Sequence, residues 1–341
     1  MTTMRRVSEI AGVSKSTVSR ALKNPEMVSK ETRDRIYEAV REVGYKPNAL
    51  AQHFNSGKSN TIVVLVTDIT NAFYSRIIKG IELAAQPLGY SVLLGDACDD
   101  ENRERMYADM LHTSRADGLI LLHHRFPFDA DWLQTGTTKP IVSVCIPPVE
   151  PYNYPHIVID NFAASREVAL HLIKLGHRKI AAIAGQDNGQ ITKDRLGGLK
   201  RVLQERGIAF NNDWFIQGEY SKASGENAVE QLMQQDDRPT ALYCFNDDIA
   251  IGAMKKLRSL GLRVPEDVSV VGFDNSEFGE YVDPPLTTVN QPALEMGKRG
   301  MEVLFGLMNG HVVDDCAQYK PYELIIRNST AIACENDKKS A

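Results

Sequence analysis

The sequence predicts an α/β chain: an all-α helix-turn-helix head, a hinge, and two Rossmann-like subdomains, each a doubly wound parallel sheet. Three observations predict it. The stretch Ile10-Ala11-Gly12-Val13-Ser14-Lys15-Ser16-Thr17-Val18-Ser19-Arg20-Ala21-Leu22 reads as a turn followed by a second helix. From Thr61 onward, apolar strands alternate with amphipathic helices, the pattern of parallel sheets wrapped by helices. The charge is divided: residues 1–58 carry eleven Lys and Arg against six Asp and Glu, the remainder 28 against 38. A basic head on an acidic body suits a nucleic-acid module joined to a separate domain.

At 341 residues the chain is long enough for two or three domains with sizeable cores. Its 43% hydrophobic and 24% charged content is that of an ordinary soluble protein. No run of about 18 apolar residues exists, and MTTMRRVSEI has no apolar signal core, so a cytosolic protein is expected. The cysteines, Cys98, Cys145, Cys244, Cys316 and Cys334, are scattered without a CxxC pair. Three lie in apolar, strand-like contexts, so buried thiols in a reducing compartment are the expectation, and metal binding is not. His123-His124 is read as part of a solvated loop.

In the head, Ser8-Glu9-Ile10-Ala11 closes a first helix and Gly12 supplies the sharp turn. Ser14 is placed to cap the next helix. Val18 and Leu22 point inward with Ala11 and Val13, leaving Lys15, Ser16, Thr17, Ser19 and Arg20 to face outward. Hydroxyls and cations at a helix start suit phosphate and base-edge contacts in a DNA major groove. Asn24 to Val28 is a loop. Ser29 then starts a third helix, Lys30 to Val43, with Ile36, Ala39, Val40 and Val43 as its inward stripe and Gly44 as its end. Pro47 blocks continuation, and residues 48–55 are too short to be helical without a partner chain or DNA.

In the body, strands are expected at Thr61–Thr67, Ser91–Leu94, Gly118–Leu122, Pro140–Val144 and His156–Ile159. Helices are expected from about Phe73 to Leu88, Glu101 to Thr113 and Ala163 to Leu175. The arrangement then repeats. Strands at Lys179–Ile183, Thr240–Cys244 and Val268–Gly272 alternate with helices at Arg195–Glu205, Ala223–Gln234 and Ile249–Ser259. A helix at Leu294–Met308 and a terminal strand at Tyr322–Arg327 close the chain. These elements exceed one comfortable sheet, so two subdomains are expected.

In such folds ligands bind beyond the carboxyl ends of the strands. Those ends carry Asp68, the stretch Ile69 to Tyr74 with Phe73, Gly95-Asp96, His123-His124-Arg125, Asp160-Asn161, Gly185 to Arg195, Asn246-Asp247-Asp248 and Asp274-Asn275: carboxylates, amides, one or two arginines and aromatics. The set can hydrogen-bond a neutral polar ligand and stack on a flat one.

VSEIAGVSKSTVSRAL, GYKPNALAQ, GHRKIAAIAG, RPTALYCFNDDIAIGA, RVPEDVSVVGFDN and PPLTTVNQP resemble the lactose/galactose repressor (LacI/GalR) family over essentially the whole chain. TDITNAFYSRIIKGIE, GYSVLLGDA, RFPFDAD and YELIIRNST are most similar to its cytidine (nucleoside-responsive) members, with purine-responsive members next.

The resemblance implies a transcriptional repressor with a periplasmic-binding-protein-like body. It implies a homodimer on pseudo-palindromic double-stranded operator DNA, with a small effector in the cleft between the two halves and no cofactor. It implies residues 1–46 as the DNA-binding domain, 47–60 as hinge helix and linker, and 61–341 as the effector and dimerisation domain. The two halves of that domain would be about 61–160 with 292–320, and 161–291 with 321–330. Lys15, Ser16 and Arg20 become the base readers, while Ser14 caps their helix. Thr17, Ser19, Asn24 and Ser29 grip phosphates. Where most members place a leucine wedge in the minor groove, this chain has Phe54, which can also unstack a base step. The nucleoside-responsive members also imply help from a DNA-bound cyclic-AMP receptor protein.

For the cleft, Arg195 in DRLGGL and Asp274 in GFDN match the family pattern most strongly. Phe73 and Tyr74 match the position where purine-responsive members stack a base, and Tyr220 matches a second aromatic. Asp68, Arg125, Asp160 and Asn246 complete the set. A sugar-responsive repressor is the alternative, because a nucleoside contains a ribose and the two sites overlap chemically. An enzyme is not expected. There is no Gly-x-Ser-x-Gly elbow, no P-loop and no Gly-x-Gly-x-x-Gly after the first strand. Asp247-Asp248 and Asp99-Asp100-Glu101 are read as helix N-terminal acids favoured by the macrodipole.

Overall fold

The computed structural model describes residues 3–45, 57–123, 125–128, 139–149, 152–185, 189–313 and 315–333. They fall into two compact units, Met1–Ser59 and Asn60–Ala341. Phe54 and most of the expected hinge lie outside the described residues.

In the first unit, α1 (Met4–Ala11) ends at Gly12, whose φ of 63° would strain any residue with a Cβ. Helix α2 (Lys15–Lys23) starts at Ser14, whose hydroxyl accepts from the Thr17 N–H at 3.2 Å. Helix α3 (Lys30–Val43) stops at Gly44, also left-handed with φ 62°. Val7, Ala11, Val18, Ala21, Ile36 and Ala39 are buried together, with Val13, Leu22, Val40 and Val43 packed around them. So small a core leaves the head with little margin of stability on its own.

The second unit holds two parallel sheets and a small antiparallel pair. The first sheet runs in the order β11 (Ala317–Tyr319), β5 (His156–Val158), β4 (Ile141–Val144), β3 (Gly118–Leu122), β1 (Thr61–Val66), β2 (Ser91–Asp96). The second runs β7 (Phe215–Gln217), β6 (Ile180–Ala184), β8 (Ala241–Cys244), β9 (Ser269–Val271). Period-two alternation builds the layers. Ile62, Val64 and Val66 share one core with Ile120 and Leu122, whereas Val63 and Leu65 share another with Leu119 and Leu121. Each such fully buried side chain contributes about 1.5–3 kcal/mol by leaving water.

Helices α4 (Ala72–Ala85) and α11 (Ala293–Met308) pack together beside the first sheet. They touch backbone to backbone: a Cβ on Gly80 would collide with the Leu294 carbonyl, and one on Gly297 with that of Ile77. Helix α5 (Glu101–His112) covers the opposite layer. In the second half, α6 (Asn161–Lys174) packs on α7 (Gln190–Glu205), and α8 (Lys222–Met233) on α9 (Asp247–Ser259). The short α10 (Glu277–Tyr281) follows β9. The chain crosses from the first half to the second after β5, returns through α11 to β11, and crosses once more to the terminal strand.

Several details differ from the sequence reading. The terminal strand β12 (Glu323–Ile325) does not extend a parallel sheet; it pairs antiparallel with β10 (Thr288–Asn290), which has no alternating pattern to reveal it. Three-residue β7 and β11 were equally hidden. Helix α7 starts at Gln190, so Arg195 sits in its second turn rather than opening it; Gln190 bonds Asp194 at 2.7 Å along that first turn. His123 is not in a solvated loop. It is buried, its Nδ1 accepts from the Arg125 N–H at 3.0 Å, and its Nε2 lies 3.1 Å from buried Glu104.

Candidate functional site

In the head, Lys15, Ser16 and Arg20 stand exposed on one face of α2, with Thr17 and Ser19 half-buried beside them. Ser14 Oγ lies 2.8 Å from both Ser16 Oγ and Thr17 Oγ1, a hydroxyl cluster at the helix start. Asn24 is exposed at the end of α2. Ser29, also exposed, donates to Thr32 Oγ1 at 2.9 Å ahead of α3. Arg5 and Arg6 on α1 pair with Glu9, whereas Lys15 and Arg20 take part in no ion pair among the described residues. Two such cations with helix-start hydroxyls form a surface able to bind phosphates and base edges.

In the body, the carboxyl end of the second sheet gathers a buried polar site. Arg195 is 4% exposed. Its Nε donates to Asn161 Oδ1 at 2.9 Å, its Nη1 donates to the Phe245 carbonyl, and its guanidinium carbon lies 3.5 Å over the Phe273 ring. Asp274 follows β9 and is 8% exposed, with Gln291 Nε2 donating to its Oδ1 at 2.6 Å. Burial pushes the Asp274 carboxyl up to about 8; the Arg195 cation opposes that and the charge of Asp247 adds to it.

Two aromatics share this locality. Half-buried Tyr74 has its phenol held well above the usual range by burial, with the fields of Cys145, Tyr220 and Asp274 adding to the effect. Tyr220 places its hydroxyl 3.3 Å from Thr192 Oγ1, and its ring lies where a Cβ on Gly185 would be. Phe73 is mostly core: 7% exposed, tilted against Tyr74 with centroids 5.9 Å apart. Tyr74 thus lies within the fields of Tyr220 and Asp274, and Asp274 within that of Arg195, with Phe73 packed against Tyr74.

The remaining residues stand at strand ends but spend their side chains locally. Asp68 accepts from Thr70 N and Oγ1, at 2.8 and 2.7 Å, closing the turn after β1. Asp160 caps α6 through the Ala163 N–H, and buried Asn246 caps α9 through that of Ile249, both at 2.8 Å. Arg125 is drawn to acids, at 3.0 Å from Glu101, 3.4 Å from Glu104 and 3.7 Å from Asp99. Sequence reasoning missed Gln291, and it placed Asn161 and Asp247 at the strand ends without assigning either to the effector site. Gln291 stood in view within PPLTTVNQP, but only the fold shows that it reaches Asp274. Asp247 is more than a helix N-terminal acid. It is buried, accepts from the Ser276 N–H and the Thr288 hydroxyl at 2.6 Å each, and has its carboxyl pushed up to about 6 by burial.

A helix-turn-helix head and a two-halved α/β body with a buried polar cluster and aromatics at its strand ends define a ligand-controlled DNA-binding regulator. The chain belongs to the lacI family of bacterial regulatory proteins: residues 3–48 match that family, and residues 169–330 match the periplasmic binding protein-like domain. It is 38% identical over 330 residues to the HTH-type transcriptional repressor CytR of Escherichia coli, covering 96% of each chain. It is 34% identical over 331 residues to the repressor PurR of Vibrio vulnificus, covering 96% of this chain and 98% of that one. Its fold matches the lac repressor dimer bound to operator and an anti-inducer with TM-score 0.86 and 30% identity, over 96% of this chain and 99% of that one. These relatives are transcriptional repressors. No helix among the described residues is long and apolar enough to cross a membrane.

Proposed function

We propose that the chain acts as a homodimeric repressor whose grip on a pseudo-palindromic operator is set by a nucleoside, of the cytidine type, held in the cleft. Control of nucleoside uptake and catabolism follows from that reading, with the cyclic-AMP receptor protein on adjacent DNA as a partner. The carrying observation is Asp274 beside Arg195, buried and close to Tyr74 and Tyr220. A carboxyl and a guanidinium suit the vicinal hydroxyls of a ribose, and the two rings suit a flat base. Similarity to CytR supports the same ligand class. In this reading Lys15, Ser16 and Arg20 read bases, Ser14, Thr17, Ser19, Asn24 and Ser29 steady the backbone contacts, and Phe54 is the hinge wedge. Asp68, Arg125, Asp160 and Asn246 are the remaining effector residues of this reading, and its domain divisions are those given for the family resemblance.

A sugar effector is the second reading. It is favoured by solved relatives described with cellobiose and with ribose, each 28% identical with TM-score 0.71. Thermal-shift screening of the full chain separates the two, because a ligand that binds only the folded state raises its melting temperature. Cytidine and adenosine should give larger shifts than ribose or cellobiose at equal concentration. The reverse order would assign the cleft to sugars.

A further inference from the structure

The turn carrying Asp274 is held from both halves of the body. Asp274 and Asn275 have φ of 113° and 51°, a region that residues with a side chain rarely adopt. From within its own half, Arg327 Nη2 donates to Asn275 Oδ1 at 2.8 Å and Asn275 Nδ2 donates to Asn290 Oδ1 at 3.1 Å. Asp247 holds the next residue by accepting from the Ser276 N–H. The other hold comes from the opposite half. Arg76, in the second turn of α4, donates Nη1 to the Asn275 carbonyl at 2.8 Å.

Helix α4 packs against α11 beside the first sheet, so the guanidinium belongs to one half and the carbonyl to the other. A cation bonded to a backbone carbonyl neutralises no carboxylate; what it fixes is the position of that backbone. The carbonyl follows Asp274 by one residue, and the guanidinium follows Tyr74 by two.

We propose that Arg76 is a positioning residue for the effector cleft, tying the Asp274–Asn275 turn to α4 and so setting the span between Tyr74 and Asp274. The proposal rests on the reading of the cleft as a nucleoside site. A ligand that touches both the ring and the carboxyl gains from a fixed span. A ligand that touches only the carboxyl does not. Arg76 thereby favours a nucleoside over a free pentose without touching either, and makes closure of the two halves and presentation of Asp274 a single event.

Two measurements on the full-length protein test this. In calorimetry, Arg76→Ala should weaken cytidine binding about tenfold, as expected for losing one charge-assisted hydrogen bond, and change ribose binding by less than about twofold. Arg76→Lys, which keeps one donor, should recover most of the cytidine loss. Unchanged cytidine binding, or equal losses for both ligands, overturns the proposal. The second measurement needs no ligand. Nitroxide labels on exposed Cys98 in the first half and on Tyr281→Cys in the second, with Cys316→Ser and Cys334→Ser, report the cleft by electron double resonance. Arg76→Ala should lengthen and broaden the distance distribution, and an unchanged distribution overturns the tie. If the distribution responds but wild type binds neither cytidine nor ribose, the effector assignment fails and the tie stands.

Discussion

The Arg195 guanidinium is stacked on Phe273, its central carbon 3.5 Å from the ring centroid, and Phe273 is the residue immediately before Asp274. The stack therefore sets the separation between the buried cation and the buried carboxyl through a single peptide unit. Asn161 and the Phe245 carbonyl complete the hold, so the guanidinium is oriented before any ligand arrives.

A planar fork, and not merely a positive charge, is what this arrangement uses. Arg195→Lys should keep the fold but lose about 2 kcal/mol of nucleoside binding, because the stack and the Asn161 bond cannot both be remade. Calorimetry with cytidine reads this directly. Wild-type affinity in the lysine variant would mean that charge alone suffices.

Asp274 also makes stability depend on pH, and the sign is set by its raised carboxyl. Folded, the group releases its proton near 8; unfolded, it does so near the ordinary 3.8. The folded state thus holds a proton that the unfolded chain gives up, and stability falls as pH rises between those values. Each tenfold change in relative proton affinity is worth about 1.4 kcal/mol. Asp274→Asn removes the dependence. Its melting temperature should match wild type near pH 4 and exceed it increasingly towards pH 8, while nucleoside binding is lost. Parallel melting curves across that range would show that Asp274 is not buried as described.

On the head, Arg20 stands exposed on the outward face of α2 without an acidic partner among the described residues. Arg20→Ala should cost about 1–3 kcal/mol on operator DNA and far less on random duplex, the signature of a base contact. Competition binding at one salt concentration checks it. Equal losses on both DNAs would reassign Arg20 to the phosphate backbone.

The close approach of α4 and α11 predicts a stability effect remote from the ligand. Gly80→Ala would drive its Cβ into the Leu294 carbonyl, and the helices must separate to admit it. A loss of about 1–3 kcal/mol is expected from such overpacking. Urea unfolding of the body measures it, and an unchanged midpoint would mean that the contact yields freely.

What could be read from the sequence was whatever repeats locally. Helix α3 was legible to the residue because Ile36, Ala39, Val40 and Val43 keep helical spacing and Gly44 ends it. Strand β3 was legible because five consecutive apolar or small residues are buried on both faces. Strands β7, β10 and β11 are three residues each with a polar residue among them, whereas β5 and β9, equally short, sit in longer apolar runs. The cleft divided the same way. Arg195 and Asp274 were marked by motif, but Asn161 lies 34 positions from Arg195 and Gln291 lies 17 from Asp274. Such pairings exist only once the sheets are assembled. Arg125 and His123 show the limit most plainly: the one was expected at the effector and the other in solvent, yet Arg125 is spent on Glu101 and Glu104, and His123 is buried against Glu104.

The central claim is that the buried pair Arg195 and Asp274, with Tyr74 and Tyr220, holds a nucleoside. Calorimetric titration of the full-length chain with cytidine, with adenosine and ribose alongside, tests it most directly. The account predicts one site per chain, tighter for nucleosides than for ribose, and abolished by Asp274→Asn. Binding of ribose more tightly than either nucleoside, or cytidine binding that survives Asp274→Asn, would contradict it.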